Sequence, residues 1–246
     1  MNIALLLSGG VGSRLEASLP KQYIEIGKRP IISYCIERLS EHDQIDALWI
    51  VADAMWHKQI EEWLKAYDVK NKFKGFSQPG KNRQLSILQG LEEIRRQAAD
   101  SDYVMIHDAV RPLLSASLIS DCFAALSGHD GVIPVLPVKD TVYYSGDGKS
   151  ITSLLDRGCI YAGQSPEVFR LGEYYEANIR LLPNGILKIN GSTEPAVMAG
   201  MNIAMISGDE DNFKITTRAD LTRFRQKIGE NGAGVKGEAD ESNGIT

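Results

Sequence analysis

The residues most able to do chemistry stand in the first 23 positions. An apolar run, Ile3 to Leu7, breaks into Ser8-Gly9-Gly10-Val11-Gly12-Ser13-Arg14, and Pro20-Lys21-Gln22 follows. Aliphatic residues bounded by a glycine cluster read as a buried strand that ends in a tight turn. Glycines let backbone N–H groups approach an anion, because no Cβ stands in the way. Arg14 and Lys21 add fixed positive charge, so the segment reads as a phosphate cradle with Ser8, Gly9, Gly10, Gly12 and Ser13 around the anion. An ordinary strand-to-helix turn is the plainer alternative.

Two familiar glycine loops are excluded. A dinucleotide fingerprint needs a third glycine, and Gly12 is followed by Ser13, Arg14 and Leu15. A Walker A loop needs Lys-Ser/Thr after its last glycine; Gly148-Lys149-Ser150 offers that triplet, but Tyr143 stands at the place of the first glycine. Gly146-Asp147-Gly148 reads instead as a hairpin turn.

Further candidates follow other apolar runs. Gly80, Lys81, Asn82, Arg83 and Ser86 precede or open a helix. His107, Asp108 and Arg111 end the Tyr103 run, Lys139-Asp140-Thr141 ends the Gly131 run, and Asp209, Asp211, Asn212 and Lys214 follow the Met201 run. In open parallel sheets ligands bind at the carboxyl ends of the strands, which is where all five segments fall. A carboxylate beside a triphosphate can help hold a divalent cation, with Asp108 and Asp211 the candidates. Each group also has a plainer use. Asp108 could cap a turn, Arg111 could brace a loop, Asp156-Arg157 could be a solvated pair, and Lys214 could be an exposed strand lysine.

The elements that must position these groups alternate. Strands are expected at Ile3–Leu7, Ala47–Val51, Phe73–Phe76, Tyr103–Ile106, Gly131–Val135 and Met201–Ser207. Helices are expected at Ile31–Leu39, Trp56–Tyr67, Gln84–Arg96, Ser117–Leu126, Leu171–Leu181 and Ala219–Ile228. That pattern is α/β: a Rossmann-like, mostly parallel sheet with helices on both faces. Thr141–Tyr144 and Ile151–Leu155 flank the Gly-Asp-Gly turn as a protruding β-hairpin arm, over about residues 138–172, and such an arm suggests a homodimer. One domain is expected over 1–228, and residues 229–246, rich in Gly, Glu, Asp, Ser and Asn, read as a disordered tail.

Composition narrows the function. The 246 residues carry a net charge of −5, which disfavours nucleic acid as partner, so a local cationic pocket suits a small anion. No apolar run is long enough to span a membrane, and no signal-peptide pattern opens the chain. Three scattered cysteines, Cys35, Cys122 and Cys159, fit a reducing cytoplasm and no zinc site.

The motifs also occur together in a known family. Ser8–Arg14, Pro20-Lys-Gln-Tyr23, His107-Asp-Ala-Val-Arg-Pro112, Pro137-Val-Lys-Asp-Thr141, Gly163-Gln-Ser-Pro166 and Asn212-Phe-Lys-Ile-Thr-Thr217 stand in that family's order. Over roughly residues 1–225 the chain resembles the CTP-dependent cytidylyltransferases of sugar-alcohol phosphates, which act on methylerythritol 4-phosphate or ribitol 5-phosphate. The resemblance implies a dimer with a β-arm, magnesium, and CTP and a polyol phosphate as substrates. It places Arg14, Lys21 and the glycine turn on the CTP phosphates, the Gly80 turn and Ser86 on the cytosine, and Asp108 near metal or ribose. Thr141, Arg157 and Lys214 would face the polyol phosphate, with Arg157 reaching across from the partner subunit.

Two segments depart from the pattern. Ser165-Pro166-Glu167 replaces the usual Thr-Pro-Gln, and Ser192-Thr193-Glu194-Pro195 stands where a Thr-Asp pair is expected. Gly9-Gly10 and Gly163-Gln164 look like the ribitol branch; Val138–Thr141 and Leu155-Asp156-Arg157 look like the methylerythritol branch, which the Asp-Arg context favours slightly. A hexose 1-phosphate nucleotidyltransferase is a rival, although it lacks the His107–Pro112 block. A nucleotide-binding domain without turnover is the non-enzymatic rival.

Overall fold

The first strand sets the frame, because its side chains alternate between two cores. Ala4 and Leu6 of β1 (Asn2–Leu7) join one apolar cluster, while Ile3 and Leu5 join another on the opposite face. A strand buried on both faces must be covered by helices on both sides. The computed structural model describes residues 1–10 and 19–229 and has that layout.

After a single 3-10 turn at Lys21–Tyr23, a small hairpin pairs β2 (Glu25–Ile26) with β3 (Arg29–Pro30). Then come α1 (Ile31–Glu41), β4 (Ala47–Val51), α2 (Ala54–Tyr67), β5 (Phe73–Ser77), α3 (Arg83–Arg95), β6 (Tyr103–Asp108), α4 (Ala116–Ala124) and β7 (Gly131–Pro137). The arm is β8 (Val142–Tyr144) paired with β9 (Ser153–Leu155). The chain returns through β10 (Tyr161–Gly163), β11 (Glu167–Arg170), α5 (Leu171–Ile179), α6 (Glu194–Met198), β12 (Ile203–Ser207) and α7 (Arg218–Lys227).

Among the described residues the main sheet has eight strands, ordered β10-β7-β11-β6-β1-β4-β5, with β12 beside β7. The β1–β4, β1–β6, β4–β5 and β7–β12 pairs are parallel; β10 and β11 run antiparallel to their neighbours. Helices α1, α2 and α4 fill one face, with Ile36, Ile60 and Ile119 at its centre. Helices α3, α5 and α6 fill the other, around Leu91, Tyr174 and Ala196. Helix α7 closes a third cluster through Leu221 and Phe224 against Ile26 and Ile31.

One expectation needs revising. The arm does not extend to residue 172: β11 lies inside the sheet, between β6 and β7, with Val168 and Phe169 fully buried. Its four residues are too short a run to announce themselves, and the pairing comes from distant partners. The short helix α6 is also absent from the sequence reading. The expected disordered tail falls, but for Gly229, outside the described residues.

Candidate active site

The carboxyl ends of β1, β4, β5 and β6 open onto a cavity of about 580 Å³. Gly9 and Gly10 follow β1, Asp53 follows β4, Pro79 to Asn82 follow β5, and Asp108 ends β6. Lys21, Gln22, Arg83, Ser86 and Lys214 complete the polar lining. A comparable cleft, about 640 Å³, lies at the amino ends of β6, β7 and β12, but its walls mix Asp100, Asp130, Glu173 and Glu176 with Arg170 and Arg180. The topology and the glycine turns favour the first.

The turn after β1 is fixed by residues beyond it. Gln22 donates its side-chain amide to Ser8 O at 2.6 Å and Gly10 O at 2.9 Å, and Ser8 Oγ donates to the Tyr23 hydroxyl at 2.9 Å. Tyr23 is itself wedged against Trp56 and Trp63, with ring centroids 4.5 and 5.5 Å away. Gly9 admits no side chain, since a Cβ there would lie 2.5 Å from Pro79 Cβ. Gly12, Ser13 and Arg14 lie outside the described residues.

The second wall is the start of α3. Asn82 caps it, accepting from Leu85 N at 2.8 Å, while its amide donates to Ile186 O at 3.0 Å. Ser86 Oγ accepts from Gly80 N at 3.0 Å and donates to Asn82 O at 2.9 Å, bracing the turn. A helix N-terminus with free backbone N–H groups favours an anion in front of it. Asp53 caps α2 in the same way, accepting from Met55 N at 3.0 Å.

Asp108 organises the cations. Arg83 Nη2 lies 3.1 Å from its Oδ1, and Lys214 Nζ 3.0 Å and Arg111 Nε 3.6 Å from its Oδ2. Burial alone would push this carboxyl up, but Arg83, Lys214 and Arg111 hold it well below the usual carboxylate range. Arg111 also donates to Asn212 O at 2.7 Å, which ties β6 to the Lys214 segment. His107 is buried behind this group, and burial holds its imidazole down at about 4, so it is neutral at physiological pH.

Thr141 and Arg157 stand apart from the cavity lining, exposed on the arm. Asp156 caps the turn at Arg157–Cys159, accepting from Gly158 N at 3.0 Å, and Arg157 Nη1 donates to Lys139 O at 2.8 Å. Lys139 pairs with Glu210.

A family profile described as 2-C-methyl-D-erythritol 4-phosphate cytidylyltransferase matches residues 2–228. A protein of that name from Syntrophotalea carbinolica is 35% identical over 220 residues, covering 88% of this chain and 91% of that one. A ribitol-5-phosphate cytidylyltransferase from Vibrio parahaemolyticus is 28% identical, covering 93% and 96%. The solved 4-diphosphocytidyl-2C-methyl-D-erythritol synthase of Anaerococcus prevotii shares the fold, with a TM-score of 0.79 at 24% identity, covering 92% and 95%. This chain belongs to the CTP-dependent cytidylyltransferase family of sugar-alcohol phosphates.

It is a nucleotidyltransferase, and its fold is the Rossmann-like α/β arrangement of that family. Bifunctional relatives also match, and the chain spans about half of their length. No described helix is long and apolar enough to cross a membrane.

The carboxylates are a poor match for a cation site made by protein alone. Both Asp108 oxygens already face cations. Asp211 is turned to α7, 2.7 Å from Lys227 Nζ and 3.6 Å from Arg223 Nη2, and does not line the cavity. Among the described residues no three His, Cys, Asp or Glu side chains cluster to hold a metal. Sequence reasoning passed over Asp53, whose signal was a polar residue two positions past an apolar strand. It also passed over Gln22 as the clamp of the glycine turn; only the fold brings that amide to Ser8 and Gly10.

Proposed function

We propose that this cytidylyltransferase transfers CMP from CTP to 2-C-methyl-D-erythritol 4-phosphate and acts as a homodimer. The observation that carries the cavity's part is the meeting of the Gly9-Gly10 turn, the α3 N-terminus, Lys21, Arg83 and Lys214 in one place. Triphosphate oxygens suit those N–H groups together with Lys21 and Arg83, and Lys214 stands beside them for the acceptor phosphate. An acceptor phosphate oxygen attacks the α-phosphorus, one P–O bond forms, the bond to the bridging oxygen breaks, and pyrophosphate leaves. Near neutral pH the attacking phosphate is already ionised, so no general base is needed. The chain's own contribution is to bring two polyanions together and to meet charge as it spreads in the transition state. Magnesium enters this reading as the counterion of the triphosphate, with no step assigned to it.

The acceptor choice is supported by the Asp156-Arg157 turn at the base of the arm, whose arginine is tied to Lys139 O. The closer identity to the methylerythritol enzyme than to the ribitol enzyme agrees with it. Thr141, Arg157 and Lys214 are assigned to the polyol phosphate, Arg157 serving the partner subunit's site. Pyrophosphate release from CTP and magnesium, compared with methylerythritol 4-phosphate and ribitol 5-phosphate, tests this. At least tenfold higher kcat/KM is expected with the first; the reverse preference would move the protein to the ribitol branch.

A further inference from the structure

Behind Arg83 lies a carboxyl group outside the cavity lining. Glu167 opens β11 opposite Ile106 of β6 and is 7% exposed. The Ser192 and Thr193 hydroxyls donate to its two oxygens, Thr193 at 3.2 Å. Arg83 Nη2, already 3.1 Å from Asp108 Oδ1, is 3.9 Å from Glu167 Oε2. The guanidinium thus sits between two carboxylates, one lining the cavity and one buried behind it.

The same segment is pinned at other points. The Tyr174 hydroxyl donates to Ser192 O at 2.7 Å, and the Gln84 amide donates to the Tyr174 hydroxyl at 3.1 Å. The Asn82 amide holds Ile186 O, so the first turn of α3, the middle of α5 and the 186–193 segment form one polar network. Glu167 connects that network to the cavity through Arg83.

We propose that Glu167 is a positioning residue for the nucleotide site: it fixes the 192–193 segment beneath Arg83 and competes with bound phosphate for that guanidinium. An arginine held by one carboxylate retains more attraction for an anion than one held by two. The charged and titratable groups facing Glu167 are Arg83 from α3, Asp108 from β6, Arg111 from the turn after it, and Tyr174 from α5. Burial pushes the carboxyl up to about 7 against the pull of Arg83. Below that pH Glu167 is neutral and Arg83 faces the nucleotide with one competitor. Above it Glu167 is ionised, a second competitor appears, and CTP binds more weakly.

This inference rests on reading the cavity as the CTP site. Its test is the KM for CTP, with calorimetric CTP affinity, from pH 6 to 8.5 in wild type and Glu167→Gln. The substitution keeps the size and removes the charge, and the difference between the two proteins cancels the ionisation of CTP itself. Agreement is expected at pH 6, and at pH 8 a wild-type KM about fivefold above that of the variant, carried by KM rather than kcat. Superimposable profiles would overturn the proposal. Ser192→Ala, which removes one hydroxyl donor to the carboxylate, is expected to shift the wild-type transition to higher pH; an unmoved transition also counts against it. Loss of CTP affinity in Ser86→Ala, which unbraces the Gly80 turn, checks the cavity independently. Affinity unchanged there faults the site itself, whereas loss there with superimposable profiles faults Glu167 alone.

Discussion

Cations at this cavity converge on a buried carboxylate. Asp108 gathers Arg83, Lys214 and Arg111, three side chains from positions far apart in the chain, and keeps them from repelling one another. A buried carboxylate so surrounded stays ionised, and the cations keep a defined direction before any substrate arrives. That preorganisation is what electrostatic catalysis requires. Lys21 faces the same space beside the glycine turn. Lys21→Ala and Arg14→Ala are each expected to lose about 100-fold or more in turnover, read as steady-state pyrophosphate release. Near-normal rates in both variants would remove them from the phosphate cradle.

At the scale of elements, the site depends on how closely α3 lies on the sheet. Gly90 is in the middle of that helix, and a Cβ there would stand 2.5 Å from Leu5 Cδ2 of β1. Glycine costs helix propensity at such a position, and the gain is a backbone that approaches the strand carrying the Gly9 turn. Gly90→Ala is therefore expected to destabilise the fold by about 1–3 kcal/mol despite alanine's better helix propensity. Urea denaturation checks this; a stabilised variant would mean that Leu5 moves aside freely. The same helix carries Asn82, Arg83 and Ser86 at its start, so a tilt of α3 is felt directly in the cavity.

At the scale of the molecule, the arm stands apart from the main sheet: among the described residues β8 and β9 pair with each other and with no other strand. Tyr143, Tyr144, Ile151 and Leu154 are 54%, 54%, 68% and 65% exposed, a concentration of apolar surface on a two-stranded ribbon that has little core of its own. A second copy of the chain is the occupant that the proposed function assigns, because Arg157 at the arm's base then reaches a neighbouring site. Leu154→Asp is expected to convert a dimer to monomers in sedimentation velocity and to raise KM for the polyol phosphate. Unchanged mass and unchanged KM would separate the arm from both assembly and acceptor binding.

Much of this architecture was legible in the chain because its signals are local. Apolar runs of five or six residues, amphipathic spacing in α1 and α2, and polar residues just past each strand mark the elements and the edge where ligands bind. The cavity accordingly gathers Gly9, Gly10, Lys21, Gly80, Asn82, Arg83, Ser86, Asp108 and Lys214, all singled out by residue type and place. Tertiary structure alone decided what depends on distant pairing. It put β11 between β6 and β7, turned Asp211 toward Lys227, and set Glu167 behind Arg83. Periodicity and turn chemistry are properties of neighbours in sequence. Which carboxylate stands behind Arg83 is fixed only when strands more than fifty residues apart share hydrogen bonds, as β6 and β11 do.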